Sequence, residues 1–337
     1  MIKKARIFTQ WLLNRNKEQN VDYMIFDVHS HIGDEYYSQK PAVIAEYQEF
    51  AKAIGVSHAL LMPMATPLLK KGGKSKVVLY WEYQNGHFRY ISDIYKCNEI
   101  QNPYLQINEV IKQEVDNYTN LSLKLEFVPL IHPLFDEISY IKGLLDQTPL
   151  AVKIHCLGAG ITPEQVKPEI LRLLSNRGTP VIVHVDHDEC GFSATAGMRY
   201  LRSKNGALEW CKLFLKYDVI GIITHGACLK PEALTMISKN SNLYCGIGPD
   251  LYMGSNPQRL GINRQELYLH GFLGVIKKYV SADKLLFDLD YNFNKERKSE
   301  DDCDSLEWEL PMRVRSVWNE HDAQKILYLN AKKLFRI

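Results

Sequence analysis

Eight short runs of β-branched and other apolar residues recur along the chain, most of them separated by segments of helical period. This alternation is the strongest constraint on its fold. The runs are Met24–His31, Val56–Pro63, Leu125–Pro133, Ala151–Leu157, Val181–Asp186, Val219–His225, Asn242–Gly248 and Lys284–Tyr291. Most are near-continuously apolar rather than alternating, as parallel strands covered on both faces require. Helical period marks Pro41–Ile54, Pro163–Arg177, Ala207–Lys216 and Pro231–Ser238. Thr162 is suited to cap its helix with Pro163 at the first position, and Lys230 precedes Pro231 in the same manner. Eight strands alternating with helices predict an α/β chain folded as a (β/α)8 TIM barrel. An open doubly wound sheet is the competitor, but no glycine-rich phosphate loop follows the first run.

The 337 residues, 46% hydrophobic and 24% charged, hold enough apolar material for one large core. We expect a helical extension over residues 1–20 and the barrel over 21–337. The extension opens with basic residues, but Thr9, Gln10 and Asn14 break its apolar stretch. No small-residue cleavage site follows, which argues against a secretory signal. Its alternative is a peripheral membrane contact. No apolar run is long enough to span a bilayer. A net charge of +2 gives no footing for nucleic acid. Seven cysteines without a Cys-x-x-Cys pair predict reduced thiols and a cytoplasmic setting.

Two connections are longer than linkers. One spans 65–120, with a polar-aromatic stretch Tyr80–Tyr95 and a helix expected from Leu105 to Tyr118. The other, Asn292–Glu309, is a charged run whose bland reading is a solvated surface. Both follow strands, which puts them on the C-terminal face where a barrel carries its active site.

Polar residues interrupt the apolar runs at that same end. His29 and His31 close the first run and, two apart, share a strand face. Lys153 and His155 lie on the fourth run, His184 on the fifth, His225 on the sixth and Asp290 on the eighth. Burying such groups without partners costs several kcal/mol, of order 2–7 for each neutral group. Their recurrence at strand ends therefore points to a divalent ion with nitrogen and oxygen ligands. Zn²⁺ suits the set best, with Mn²⁺, Fe²⁺ or Co²⁺ as substitutes.

With these residues in view, the segments FDVHSHIG, AVKIHCLG, VIVHVD, IITHGA and LLFDLDYNF together resemble the ordered signature of the amidohydrolase superfamily. The nearest likeness is its amidohydrolase-2 branch of hydrolases and non-oxidative decarboxylases, and KILYLNAKKLF is similar to that branch's closing helix. The resemblance implies that His29, His31, His184 and Asp290 bind one metal, that Asp290 also moves protons and that His225 acts on the substrate. Three departures bear on the substrate class. Asp288-Leu289 stands where the branch has Gly-Ser, Asn292 where it has Pro, and Tyr328-Leu329 where it has glycines.

The expected activity is a metal-dependent hydrolysis of an amide, lactone or ester of a small molecule, with metal-activated water as nucleophile. Asp290 would carry the proton and His225 would polarise the carbonyl. The alternatives are decarboxylation of an aromatic or unsaturated acid, and a barrel that binds a ligand without catalysis. Lys153 is read as a substrate contact, a structural lysine, or a carbamate bridging two metals with His225 as a further ligand. His155, Asp186 and His187 are candidate substrate contacts, and Arg199 and Arg202 are candidates for an anionic group. Asp27 and Asp288, on the faces of His29 and Asp290, either fix histidine tautomers or pair elsewhere in the barrel floor. A homodimer is compatible with the fold.

Overall fold

The computed structural model describes residues 24–33, 42–64, 68–71, 74–77, 80–84, 87–91, 101–120, 122–159, 161–185, 204, 206–248, 264–291 and 304–337. The extension expected over 1–20 lies outside them.

Eight parallel strands form the wall. They are β1 (Ile25–Ile32), β2 (Val56–Pro63), β3 (Lys124–Phe127), β4 (Val152–His155), β5 (Val181–His184), β6 (Gly221–Ile223), β7 (Leu243–Ile247) and β8 (Leu285–Phe287). Their ladders fall into two sheets, β1-β2-β3 and β8-β7-β6-β5-β4. Parallel bridges join these at both edges, Leu130 to Lys153 and Ser30 to Tyr291. The second seam carries His31 N–H to Tyr291 O at 2.8 Å and Asp290 N–H to His29 O at 2.7 Å. The strands thus close in sequence order, a (β/α)8 barrel.

Helices cover the outside. They are α1 (Ile44–Ile54), α2 (Leu105–Asp116), α3 (Ile138–Asp146), α4 (Pro168–Arg177), α5 (Ala207–Tyr217), α6 (Pro231–Lys239), α7 (Arg264–Tyr279) and α8 (Asp304–Val317). α1 and α4 end at Gly55 and Gly178, whose φ of 88° and 61° only glycine adopts freely. One expected helix is two elements. Thr162 and Gln165 form a capping box over a 3-10 turn, Pro163–Gln165, and α4 begins afresh at Pro168. Proline lacks the N–H needed to continue a helix, so it starts a new one. α8 also begins inside the second long connection expected to run to Glu309.

Two packed layers result. Inside the wall, Phe26, Val28, Leu60, Ile182, Ile222 and Leu286 belong to one cluster, floored by Tyr328, Ala331 and Phe335 from the C-terminal segment. The outward faces and the helices make the larger cluster. Buried Asn330 ties the closing segment to β8 by donating to Ala282 O at 2.6 Å and Leu285 O at 2.8 Å.

The 65–120 connection holds two antiparallel hairpins, Leu68–Lys71 with Lys74–Val77 and Tyr80–Gln84 with His87–Ile91. It also supplies α2, which carries buried Asn108 into the wall. The Asn108 amide donates to Leu130 O at 2.8 Å and accepts from Leu130 N–H at 2.9 Å, completing the strand edge beside Lys153. Among the described residues no helix is long and apolar enough to cross a membrane.

Candidate metal centre

β1 delivers two histidines by breaking its own alternation. Asp27 pairs with Ala59 and Ser30 with Leu61, so β1 spends one extra residue on that interval. Such a bulge re-aims side chains. Phe26 and Val28 fill the interior below it. Above it His29 and His31 converge, with their Nε2 atoms 3.0 Å apart. The sequence reading put Asp27 on the histidines' face, and the bulge corrects it. Asp27 lies toward α1, where its carboxylate accepts from Tyr47 OH at 2.7 Å and Ser30 Oγ at 2.5 Å. It also accepts the backbone N–H groups of His29 at 3.1 Å and Leu289 at 3.0 Å. It therefore clasps the β1–β8 seam and touches the backbone of His29 rather than its ring. Burial pushes its carboxyl up to about 6 against the pull of these donors.

The partners assign the tautomers of both histidines. His29 Nδ1 donates to Asp288 Oδ1 at 2.9 Å, and His31 Nδ1 donates to Pro63 O at 3.0 Å. In the neutral rings each Nε2 then carries a lone pair, and the two lone pairs face one another. Asp290 Oδ1 adds a third donor, 3.5 Å from His29 Nε2 and 3.4 Å from His31 Nε2. These three residues offer ligand atoms all within 4.8 Å of one another, and each is buried. Burial first, and Lys153 second, hold the His29 imidazolium well below its ordinary range, leaving it a neutral donor.

β4, β5 and β6 bring the remaining polar groups. Lys153 is fully buried, with Nζ 2.5 Å from His29 Nε2. Burial pulls its ammonium down from the usual lysine range, against the attraction of Asp290 and Asp288. His184 stands outside the group formed by His29, His31 and Asp290. Its Nδ1 shares a 2.8 Å hydrogen bond with His225 Nε2, while His225 Nδ1 is 3.7 Å from Asp290 Oδ2. His155 stacks on His184 with centroids 4.1 Å apart and 6.3 Å from the His31 ring. Five imidazoles thus encircle Lys153 and Asp290.

His225 reaches this ring through an unusual backbone. Ile222 points inward and Ile223 outward, so a regular strand would turn His225 outward with Ile223. Instead His225, Gly226, Ala227, Cys228 and Leu229 all adopt φ between 51° and 56°. This left-handed run rotates His225 into the barrel, and Asp290 too has a φ of 45°. Each such L-residue costs about 1–2 kcal/mol, a strain that clusters at functional sites. Cys228 lies in this turn. The described cysteines 156, 211, 228 and 245 are buried and none is in a disulfide.

Of the expected site residues, the structure gathers His29, His31, Lys153, His155, His184, His225, Asp288 and Asp290 at the C-terminal mouth. Asp186, His187, Arg199 and Arg202 lie outside the described residues. Sequence reasoning missed Tyr47 and Ser30, whose hydroxyls hold Asp27. A tyrosine on an amphipathic helix reads as plain core, and its partner is visible only in three dimensions. His132 donates to Ala159 O at 3.0 Å from a buried position.

The donor set fits a divalent ion of the Zn²⁺, Mn²⁺ or Fe²⁺ kind.

This fold has known counterparts. The chain is similar to a crystal structure of an amidohydrolase II, with 13% identity, 93% of this chain and 100% of that chain covered, and a TM-score of 0.56. A D-hydantoinase structure is similar at 12% identity, over 81% of this chain and 59% of that one, with a TM-score of 0.48. No family profile and no curated protein sequence matches. The first likeness shows that the chain has the barrel fold of an amidohydrolase.

Proposed function

We propose that this chain is a metal-dependent hydrolase whose ion is held by His29, His31 and Asp290, and that it cleaves an amide, lactone or ester of a small molecule. One observation carries the reading. With both Nδ1 atoms committed as donors, the Nε2 atoms of His29 and His31 converge to 3.0 Å beside the Asp290 carboxylate, a donor set that a cation can draw together. The fold shared with an amidohydrolase II supports it.

A divalent ion bound there supplies Lewis acidity and lowers the pKa of a coordinated water from 15.7 toward about 7. The chain's own groups do the rest. Asp290 turns one oxygen toward the Nε2 pair and the other toward His225, so it can take a proton from water and return it to the leaving group. His225 donates toward the substrate carbonyl oxygen and stabilises the charge that develops there. His155, Lys153, Asp186 and His187 are assigned to substrate contact, and Asp288 to orienting His29.

The test is a panel of amides, lactones, esters and aromatic acids, assayed with Zn²⁺, Mn²⁺ or Fe²⁺ added back after chelation. The expected result is metal-dependent hydrolysis that falls about 10²–10⁴-fold in Asp290→Asn and His225→Ala. Release of CO₂ from the acids without hydrolysis would move the assignment to a decarboxylase. Metal uptake with no turnover would leave a binding barrel.

A second reading rests on the position of Lys153, which touches His29 Nε2 while His184 and His225 pair with each other. In this reading the Lys153 amine adds to CO₂ with loss of a proton, and the resulting carbamate, with His184 and His225, would help to hold a second ion. Two metal equivalents, and the mass of one CO₂ on the peptide containing Lys153, are its signature. The four buried thiols, none in a disulfide, support a cytoplasmic setting, which cell fractionation tests.

A further inference from the structure

We propose that Gly246 of β7 and Gly248, just past the end of that strand, are positioning residues. Gly246 leaves open the space of the Asp288 carboxylate and Gly248 that of its backbone oxygen, and through Asp288 they hold His29 with its Nε2 lone pair on the ion-binding cluster. The proposal rests on the metal reading above and deepens it.

A barrel interior is normally filled by branched side chains from every strand. β7 departs from this at Gly246, and Gly248 follows just past the strand's end. β7 and β8 are hydrogen-bonded neighbours in parallel register, Gly246 opposite Leu286 and Ile247 opposite Phe287. Asp288 N–H continues the ladder by donating to Ile247 O at 3.2 Å. Asp288 thus stands one step above the Gly246 pairing, inside the wall, and is fully buried.

The space is specific. A Cβ on Gly246 would lie 2.5 Å from Asp288 Oδ2 and 3.3 Å from both its Cβ and Cγ. A Cβ on Gly248 would lie 2.5 Å from the Asp288 backbone oxygen and 3.4 Å from Oδ1. Contacts this short do not persist, so an added methyl must displace Asp288. The atom in the way is Oδ2 of the carboxylate whose Oδ1 takes the 2.9 Å hydrogen bond from His29 Nδ1, and with the Asp288 backbone tied to β7, moving that carboxylate disturbs the bond. Glycine in a strand interior weakens the strand, and close approach by a neighbour is the compensating reason for it. Here the neighbour is a carboxylate that fixes the tautomer of a metal-binding imidazole, a role usually worth about 10–100-fold in metal affinity.

The test compares Gly246→Ala, Asp288→Gly and the double variant with the parent, each as the full chain. Zinc affinity is read by competition with a chromophoric chelator. The His29 tautomer is read from long-range ¹H–¹⁵N spectra of histidine-labelled protein. Thermal midpoints of the metal-free forms are measured alongside. Gly246→Ala is expected to weaken zinc binding about 10–100-fold and to shift the His29 signature. Added to Asp288→Gly, it should leave the affinity unchanged and should not lower the midpoint, because the clash is gone. Parent-like zinc affinity and tautomer in Gly246→Ala would overturn the proposal, as would an equal cost of the alanine in both backgrounds. Should Gly246→Ala fail to fold, a folded double variant supports the proposal and an unfolded one overturns it. Should the parent bind no zinc, the hydrolase reading fails, while the tautomer and the midpoints still decide the cradle.

Discussion

Replacing Asp27 probes the clasp that closes the barrel beside the metal centre. Its Oδ1 accepts two backbone N–H groups, His29 at 3.1 Å and Leu289 at 3.0 Å. Its Oδ2 accepts two hydroxyls, Ser30 at 2.5 Å and Tyr47 at 2.7 Å. All lie in a fully buried seam. Asp27→Ala leaves four donors without this acceptor, and a buried orphan costs about 1–3 kcal/mol. The hydroxyls can rotate toward other partners, so they count at the low end, whereas the backbone groups cannot turn. The expected loss is about 4–6 kcal/mol, a large share of the roughly 5–15 kcal/mol that holds a typical domain folded. Asp27→Asn keeps one oxygen for the two N–H groups and presents an amide that both hydroxyls can accept. It should stay within about 2 kcal/mol of the parent. Urea unfolding at pH 7, followed by circular dichroism, measures both. pH adds a check, because burial lifts this carboxyl from 3.8 to about 6. A folded value above the unfolded one means the contribution is full below the unfolded value and is lost as pH rises through about 6. Asn should therefore gain on Asp from about pH 4 to about pH 6 and hold level above that. Alanine within about 1 kcal/mol of the parent, or alanine equal to asparagine, would refute the clasp.

Two further substitutions test the strained turn and a second buried acid. Ala227→Gly should raise stability by about 0.5–1 kcal/mol, since glycine removes the left-handed cost and returns part of it as unfolded-chain entropy. A lower unfolding midpoint for the glycine variant would contradict the left-handed run, provided zinc uptake is unchanged. Asp136, which accepts His132 N–H at 2.7 Å, has its carboxyl pushed by burial up to about 7. Stability should therefore fall as pH rises from about 4 through 7, by a few kcal/mol at most, and Asp136→Asn should flatten that slope. Identical slopes in parent and variant would rule this out.

All eight wall strands were legible because a barrel strand buried on both faces has little choice but a short apolar run. β2 runs over the very residues expected, Val56–Pro63, and the other expected runs each contain or overlap their strand. What sequence could not give was the behaviour at strand ends. There the bulge in β1 and the left-handed turn after β6 override the alternation used to assign faces. Asp27 was assigned to the wrong side for that reason. His225 faces the site although strict parity would have turned it away. The hairpins of the 65–120 connection had a local signal that went unused. Gly72-Gly73 and Asn85-Gly86 separate their paired runs, and such pairs mark two-residue hairpin turns. The separation of His184 from His29, His31 and Asp290 depends on how strands lean across the barrel, which strand order alone does not encode.

The central claim, that buried lone pairs of His29 and His31 with Asp290 hold a divalent ion, is tested most directly by elemental analysis. The chain should be purified without chelators or a metal-affinity tag, beside His31→Ala, which removes one of the facing nitrogens. The account predicts at least one equivalent of zinc, manganese or iron per parent chain and a substantial loss in the variant. One equivalent favours the single-ion site, and two favour the Lys153 bridge. No metal in the parent, and none taken up on incubation, would contradict the account.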